Sequence, residues 1–390
     1  MRILHLATFL QGGAGRIITD LALDQHRAGH DVRVVTSGSG VPGYGNYQAY
    51  LDELSTGGVP VRLVDSMFER RHAPNLVVVR AVDEWYAHGA EPHVIHAHAA
   101  VPSFVALLFA GARRVPMAVI QTMHGWGLVK TGDQVASDVA VLNLVDRVVV
   151  PSAHAAGMLA SFGVSASRIT LVPYGVRADI GEPDERDIDT MQEMGRARRR
   201  GALVVACVGT IGARKNQALL VAALERMRDT PVYAVFVGDG EDQDLREAID
   251  AAGLADRVRV HGYSRNARRI ATAADVLVLP SRSEGQPIAV LEAFCDGTLV
   301  VVSDIPELAE LVADGATGFQ FRGESADALA EVLEAVASLP SSTRRVIRER
   351  ARARYATQFT IPVMAAAYQS IYGALVNRPG SDGRTKVSAA

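Results

Sequence analysis

The sequence predicts an α/β protein of two Rossmann-like domains whose parallel sheets face a central cleft, and three observations predict it. Short apolar runs rich in β-branched residues alternate with longer amphipathic stretches, which is the pattern of βαβ units. Many of these runs lack a period-two alternation, as expected of strands covered by helices on both faces. The series occurs twice, on either side of a polar segment, and 390 residues suit two domains.

In chain order, the first series predicts strands at 2–8, 31–36, 60–64, 93–97, 117–122, 147–151 and 169–172. The first run is apolar for only about eight residues before Gly12 and lacks a small-residue cleavage site, so it reads as a strand and not as a signal peptide. The second series predicts strands at 203–208, 232–237, 257–261, 275–279 and 299–302. Helical patterns lie between them, among others at 15–28, 103–113, 154–162, 216–228, 242–253, 287–295 and 325–337. These patterns define an N-terminal domain at 1–176, a polar connection at 177–200 and a C-terminal domain at 201–355. The connection runs from acidic (Glu182, Asp184, Glu185, Asp187, Asp189) to basic (Arg196, Arg198, Arg199, Arg200), and these charges are expected to be solvated. A helix carrying Ile361, Met364, Tyr368, Ile371 and Leu375 is expected within 356–376, returning to the N-terminal domain, and 377–390 reads as a disordered tail.

Composition narrows the function. A formal net charge of -3 with both signs mixed excludes a nucleic-acid partner that needs a strongly basic face. Cys207 and Cys295 are the only cysteines, which leaves no disulfide framework and fits a reducing, cytoplasmic compartment. No apolar run reaches the roughly 18 residues of a membrane span, so any membrane contact is expected to be peripheral. Oligomeric state is not legible.

In open α/β sheets ligands bind beyond the carboxyl ends of the strands, so the loops there carry the chemistry. Gly12-Gly13-Ala14-Gly15 follows the first strand and opens a helix, where free N–H groups face an anion; a tight turn explains the glycines equally well. The spacing is wrong for a dinucleotide fingerprint, and no acidic residue closes the next strand. Gly209-Thr210-Ile211-Gly212-Ala213-Arg214-Lys215-Asn216 follows the first strand of the second half and lacks the Walker spacing. Cations at a helix start oppose the helix dipole, which favours an anionic ligand there. Gly238-Asp239-Gly240 reads as a glycine-rich turn. Beyond the strand at 275–279, Glu284-Gly285-Gln286-Pro287-Ile288 leads into a helix carrying Glu292. Pro287 suits the first helical position, and the N–H groups of this turn can meet a ligand oxygen. Glu292 on so apolar a helix needs a partner such as a ribose diol, unless it is solvated on the outer face.

Together these motifs resemble the large retaining family of GT-B glycosyltransferases called family 4, over nearly the whole chain. The resemblance runs through Gly12-Gly13, Gly29-His30, His96-Ala97-His98, Thr122-Met123-His124, Pro173-Tyr174-Gly175, Gly209 to Asn216, Gly238 to Gly240 and Asp275 to Glu292. The two glutamates with seven residues between them, and Pro280-Ser281 before them, are its most specific part. It implies a metal-independent hexosyltransferase with no cofactor and a nucleoside diphosphate sugar as co-substrate, UDP-linked more often than GDP-linked. The C-terminal domain would bind this donor, and the N-terminal domain a sugar, lipid-linked or small-molecule acceptor. Glu292 resembles the carboxylate on the donor ribose, and Glu284 the first glutamate beside the transferred sugar. The backbone of Gly285, Gln286, Pro287 and Ile288 would contact sugar and phosphate. Lys215 and Arg214 resemble the diphosphate cations, Gly13 the loop glycine near the diphosphate, and His124 the histidine facing sugar and acceptor. Thr210 stands where many relatives carry Arg, and Tyr174 where they carry Asn.

His96 and His98 alternate at a strand end, but no third ligand is evident beside them and His93 would not share their face, so they read as structural or cleft-lining. Acceptor contacts are expected in loops 38–48, 66–76 and 124–136, with ordinary solvation the expected state of Arg70 and Arg71. The alternative to an enzyme is a non-catalytic nucleotide-binding protein of the same fold in a surface-polysaccharide assembly.

Overall fold

The structure is a computed structural model and describes residues 1–38, 45–64, 70–87, 89–113, 115–127 and 130–377. The expected tail beyond 377, and residues 39–44, 66–69 and 128–129 of the expected acceptor loops, lie outside the described residues. The chain divides into two compact units. The first draws on Met1–Val41, Asn46–Pro173 and Ile361–Ala390, and the second is built on Tyr174–Thr360.

The first unit holds a seven-stranded sheet: β1 (Arg2–Leu6), β2 (Asp31–Thr36), β3 (Val61–Leu63), β4 (Val94–Ala97), β5 (Ala118–Thr122), β6 (Arg147–Val150) and β7 (Ile169–Leu171). Its order is β3-β2-β1-β4-β5-β6-β7, with the strands pairing in parallel. Every residue of β4 and β5 is buried, which is why those runs show no alternation. Leu4, Leu6, Ile95, Val119 and Val148 pack with Phe109 and Leu142 from the covering helices. The helix Ile361–Val376 belongs to this unit and buries Met364, Tyr368, Tyr372 and Leu375. Tyr372 thus takes the inner position expected of Ile371; its hydroxyl is satisfied by the ring nitrogen Nδ1 of His96, 2.7 Å away.

The second unit holds a six-stranded sheet: β8 (Leu203–Val208), β9 (Val232–Val237), β10 (Val258–Gly262), β11 (Val276–Leu279), β12 (Leu299–Ser303) and β13 (Phe319–Phe321). Its order is β10-β9-β8-β11-β12-β13, again parallel throughout. Val205, Cys207, Phe236, Val278 and Val301 meet Leu220, Leu224, Leu329 and Leu333 in its core. β13 was not expected: β3 and β7 are equally short but lie in longer apolar runs, whereas Phe319 and Phe321 are the only apolar residues between Gly318 and Arg322.

The polar segment at 177–200 is more than a solvated connection. Glu185–Arg199 is a helix of the second unit, opened by a reciprocal capping box between Asp184 and Asp187. Asp187, Thr190 and Met194, spaced three and four apart, are buried, and Asp187 lies 3.1 Å from Nε2 of His261. The acidic start and basic end follow the helix dipole, which explains the charge split. Among the described residues, no helix is long and apolar enough to cross a membrane.

Candidate functional site

In the second sheet the strand order reverses between β8 and β11, and the loops after these two strands carry the predicted donor residues. The loop after β8 is shaped by backbone requirements. A Cβ on Gly238 would sit 2.0 Å from the carbonyl oxygen of Gly209, so only glycine lets the loop after β9 brace this one. That gives the glycine-rich turn at 238–240 a supporting role: Ile211 donates to the Asp239 carbonyl at 2.7 Å. Asn216 adopts the left-handed conformation with φ of 54°, which Asn tolerates better than other side chains. The Gln217 amide donates to the Thr210 carbonyl at 3.2 Å and its oxygen accepts from the Gly212 amide at 3.3 Å, tying the loop to the helix Gln217–Arg226.

The two loops meet at Glu284. Its carboxylate accepts from Nζ of Lys215 at 2.5 Å and from the Arg214 guanidinium at 3.1 Å. The Glu284 side chain is only 5% exposed and Lys215 14%, whereas Arg214 is 42% exposed, so the lysine contact is the desolvated one. Burial opposes ionisation of Glu284, but Lys215 and then Arg214 outweigh it and hold the carboxyl below its usual range. Arg214 also donates to the Ser283 carbonyl at 2.9 Å, and Arg282 donates to the Ala213 carbonyl at 3.0 Å while pairing with Glu324. Arg282, Gln217 and Gly238 were not singled out as site residues; they act on backbone, which no motif spacing reports.

The helix after Glu284 runs Ile288–Asp296 with Pro287 at its N-cap, ψ 113°, rather than in the first helical position. No side chain caps this N-terminus and no acidic residue occupies its first turn, so its N–H groups are oriented for an anion. Gly285, Gln286 and Ile288 are half-buried; the Gln286 side chain accepts from the Tyr174 amide at 2.6 Å. Glu292 is half-buried one turn before Asp296, which chelates Arg268 at 2.6 and 2.7 Å. Burial opposes the charge on Arg268, yet its hydrogen bond to Asp296 and then the charge of Glu292 hold the guanidinium firmly protonated.

In the first sheet the order reverses between β1 and β4. Beyond β1 lies Gly13, exposed in the first turn of the helix Gly12–Arg27; the Gly12 amide at that start donates to Oδ1 of Asn46 at 3.0 Å, and no acidic residue occupies the turn. Beyond β4 and β5 lie His98 and His124, with Nδ1 of His98 3.0 Å from Nε2 of His124. The third imidazole that the sequence did not reveal is His5, the register partner of His96 on β1. Ring nitrogens of His5, His96 and His98 come within 4.8 Å of one another. Each of these nitrogens already has a partner: Gln25 and His98 for His5, His5 and His124 for His98, Thr122 and Tyr372 for His96. The cluster is thus built as a hydrogen-bond network, which a cation would have to break. Burial drives the basicity of His5 and His124 down to about 4 and that of His96 and His98 well below the usual imidazole range, so all four are neutral at pH 7.

Arg70, expected to be solvated, instead clasps the buried carboxylate of Asp138 at 2.5 and 2.9 Å, joined there by Lys130 at 2.7 Å. Lys130 in turn lies 3.6 Å above the ring of Trp126.

The family model described as Glycosyltransferase Family 4 matches residues 11–180, and that described as Glycosyl transferases group 1 matches 194–354. The chain is 30% identical over 281 residues to D-inositol 3-phosphate glycosyltransferase 1 of Catenulispora acidiphila, covering 64% of each protein. It is also 30% identical over 314 residues to the D-inositol 3-phosphate glycosyltransferase of an Arthrobacter species, covering 74% of this chain and 73% of that one. Among solved structures, Anabaena HepE in complex with UDP and glucose superposes with a TM-score of 0.81 at 19% identity, covering 96% of this chain and 100% of that one. Sucrose-phosphate synthase from Thermosynechococcus elongatus superposes with a TM-score of 0.77 at 20% identity, over 96% and 99% of the two chains. The structural likeness shows the two-domain GT-B fold, and the sequence matches show the lineage: the chain belongs to glycosyltransferase family 4, the group 1 glycosyl transferases.

Proposed function

We propose that this chain is a retaining glycosyltransferase that moves a sugar from a nucleoside diphosphate sugar, preferably a UDP-sugar, to an acceptor hydroxyl in glycoconjugate biosynthesis. The observation that carries the proposal is the Lys215–Glu284–Arg214 cluster at the strand-order reversal of the second sheet. Two cations share one carboxylate, leaving a net charge of +1 beside an uncapped helix start. Such a site favours a diphosphate and stabilises the charge that develops when it leaves as nucleoside diphosphate. HepE, similar in fold, binds UDP and glucose, which supports a uridine donor.

In this reading Lys215 and Arg214 hold the diphosphate. The backbone from Gly285 to Ile288 contacts sugar and phosphate, and Glu292 takes the ribose hydroxyls. The cations stand where a metal would otherwise serve. Glu284 is ionised with both oxygens engaged, so it orients the cations and the sugar hydroxyls and does not act as a proton donor, which needs a raised pKa. The acceptor proton then passes to the leaving phosphate. From the first unit, His124 accepts a hydrogen bond from a substrate hydroxyl.

The test is a transfer assay with UDP- and GDP-sugars against an acceptor panel that includes D-inositol 3-phosphate, with the product anomer read by NMR. A product or hydrolysed sugar of the donor's own anomeric configuration supports the reading. Inversion, or turnover that requires an added divalent cation, overturns the mechanism.

A further inference from the structure

The helix Ser341–Gln358 of the second unit carries arginine at every fourth position, Arg344, Arg348 and Arg352, so three like charges share one face. Like charges at this spacing repel and weaken a helix. Arg198, in the last turn of the helix Glu185–Arg199, reaches the same place. Its Nε donates to Oδ1 of Asp275 at 3.0 Å, and Arg348 lies against the main-chain carbonyl of that same residue. Asp275 immediately precedes β11 and Glu284 follows it, so the cluster sits at the amino end of the strand, opposite the loops of Lys215 and Glu284.

Three of the four arginines have a structural task. Arg344 donates to the carbonyls of Ala337 at 2.6 Å and Leu339 at 3.1 Å, closing the end of the helix Ala326–Ser338. Arg352 closes the helix Ile288–Asp296 through the Asp296 carbonyl, and Arg198 the helix Ala267–Ala273 through the Ala273 carbonyl. Cations suit such ends, where unpaired carbonyls gather. Arg348 closes no helix. Its one contact is 3.5 Å from Nη2 to the Asp275 carbonyl, and its Nε is buried with no acceptor among the described residues. The carboxylates around it are engaged elsewhere: Asp275 by Arg198 and the Val204 amide, Asp296 by Arg268, and Glu349 by Arg345. Burial holds the basicity of Arg348 below the usual guanidinium range; Asp275 opposes this, and the charges of Arg344, Arg352 and Arg198 add to it. A lysine there would shed its proton, but a guanidinium keeps it, so the repulsion is left for an anion to offset.

We propose that Arg348 is the centre of a second anion site, which takes a phosphate group on its guanidinium fork with Arg198, Arg344 and Arg352 supplying further positive charge. Two parallel hydrogen bonds from one guanidinium suit a phosphate better than a monovalent halide. The group belongs either to a soluble phosphorylated molecule or to a phospholipid headgroup, which share this chemistry. The site is separate from Lys215 and Arg214 and stands whether or not the donor reading holds.

The test is urea unfolding of the full chain at constant ionic strength, with inorganic phosphate replacing chloride. The midpoint of the wild type and of Lys215→Met should rise and then saturate, as for a ligand that binds the folded state. A rise that stays linear is exclusion of phosphate from the surface and overturns the proposal without any variant. Arg348→Met removes a repelled cation, so its midpoint in chloride should equal or exceed that of the wild type. It should need at least about tenfold more phosphate for the same gain, as the loss of charge-assisted hydrogen bonds implies. A lower midpoint in chloride marks an arginine held for the fold and contradicts the site. So does a phosphate response that Lys215→Met abolishes and Arg348→Met keeps. Arg348→Lys retains the charge without the fork and carries the test if the methionine variant fails to fold; its phosphate affinity should fall several-fold, and unchanged affinity removes the fork from the account. Vesicles of phosphatidylglycerol and phosphatidylcholine separate the two sources. Co-sedimentation that Arg348→Met abolishes assigns the phosphate to a headgroup, and a saturable phosphate response without co-sedimentation assigns it to a soluble ligand.

Discussion

Glu284 is buried and ionised because Lys215 and Arg214 neutralise it, and that dependence separates its structural role from the binding role proposed for it. Lys215→Met should weaken UDP binding at least tenfold, since a charge-assisted hydrogen bond contributes about 1.5–3 kcal/mol. It should also lower stability, because the carboxylate then keeps Arg214, an exposed cation, in place of the desolvated lysine. Adding Glu284→Gln to Lys215→Met should restore the denaturant midpoint without restoring affinity; a double variant less stable than the single one would contradict the pairing. A second prediction concerns pH. The folded state holds His5 at about 4 against an unfolded value of 6.5, so the unfolded chain binds more protons below pH 6.5. The stability His5 contributes is present above pH 6.5 and is lost as pH falls towards 4, by about 2 kcal/mol between pH 7 and pH 5. Denaturant unfolding that is flat across this interval would count against neutral burial. Lys215, Glu284 and His124 were legible in the sequence because they lie in loops between recognisable strands. His5 and Gln25 were not: pairing β1 beside β4 brings His5 to His96, and a run of apolar residues carries no sign of its neighbours or register.

At the scale of elements, the loop after β8 depends on a neighbour that approaches it through glycine. Gly238→Ala forces a Cβ against the Gly209 carbonyl oxygen, so the loop after β8 has to shift. UDP affinity should fall by an order of magnitude or more while the far-UV circular dichroism stays native; unchanged affinity would show that the loop is not braced there. The helix Glu185–Arg199 offers a separate check. Replacing its cap, Asp184→Ala, should cost about 1 kcal/mol, measured by urea unfolding, with donor affinity unaffected. Twelve strands follow directly from apolar runs, because buried parallel strands are written as uninterrupted Val, Ile and Leu. β13 and the helix Glu185–Arg199 did not stand out, one because Phe319 and Phe321 sit between Gly318 and Arg322 with no longer apolar run, the other because its inner face is Asp187, Thr190 and Met194 rather than an apolar stripe.

At the scale of the molecule, each unit has its own sheet and its own core, and the donor reading assigns nucleotide binding to the second. Added UDP should therefore slow amide exchange at 209–217 and 284–296, the loop and helix start that would hold the diphosphate and ribose. The central claim is that Lys215 and Glu292 grip the two ends of a nucleoside diphosphate. Titration calorimetry of UDP into the wild-type chain, Lys215→Ala and Glu292→Ala tests it most directly. The account predicts saturable one-to-one binding by the wild type and at least a tenfold loss in each variant. Equal affinity in all three proteins, or no heat from UDP or GDP in the wild type, would contradict it.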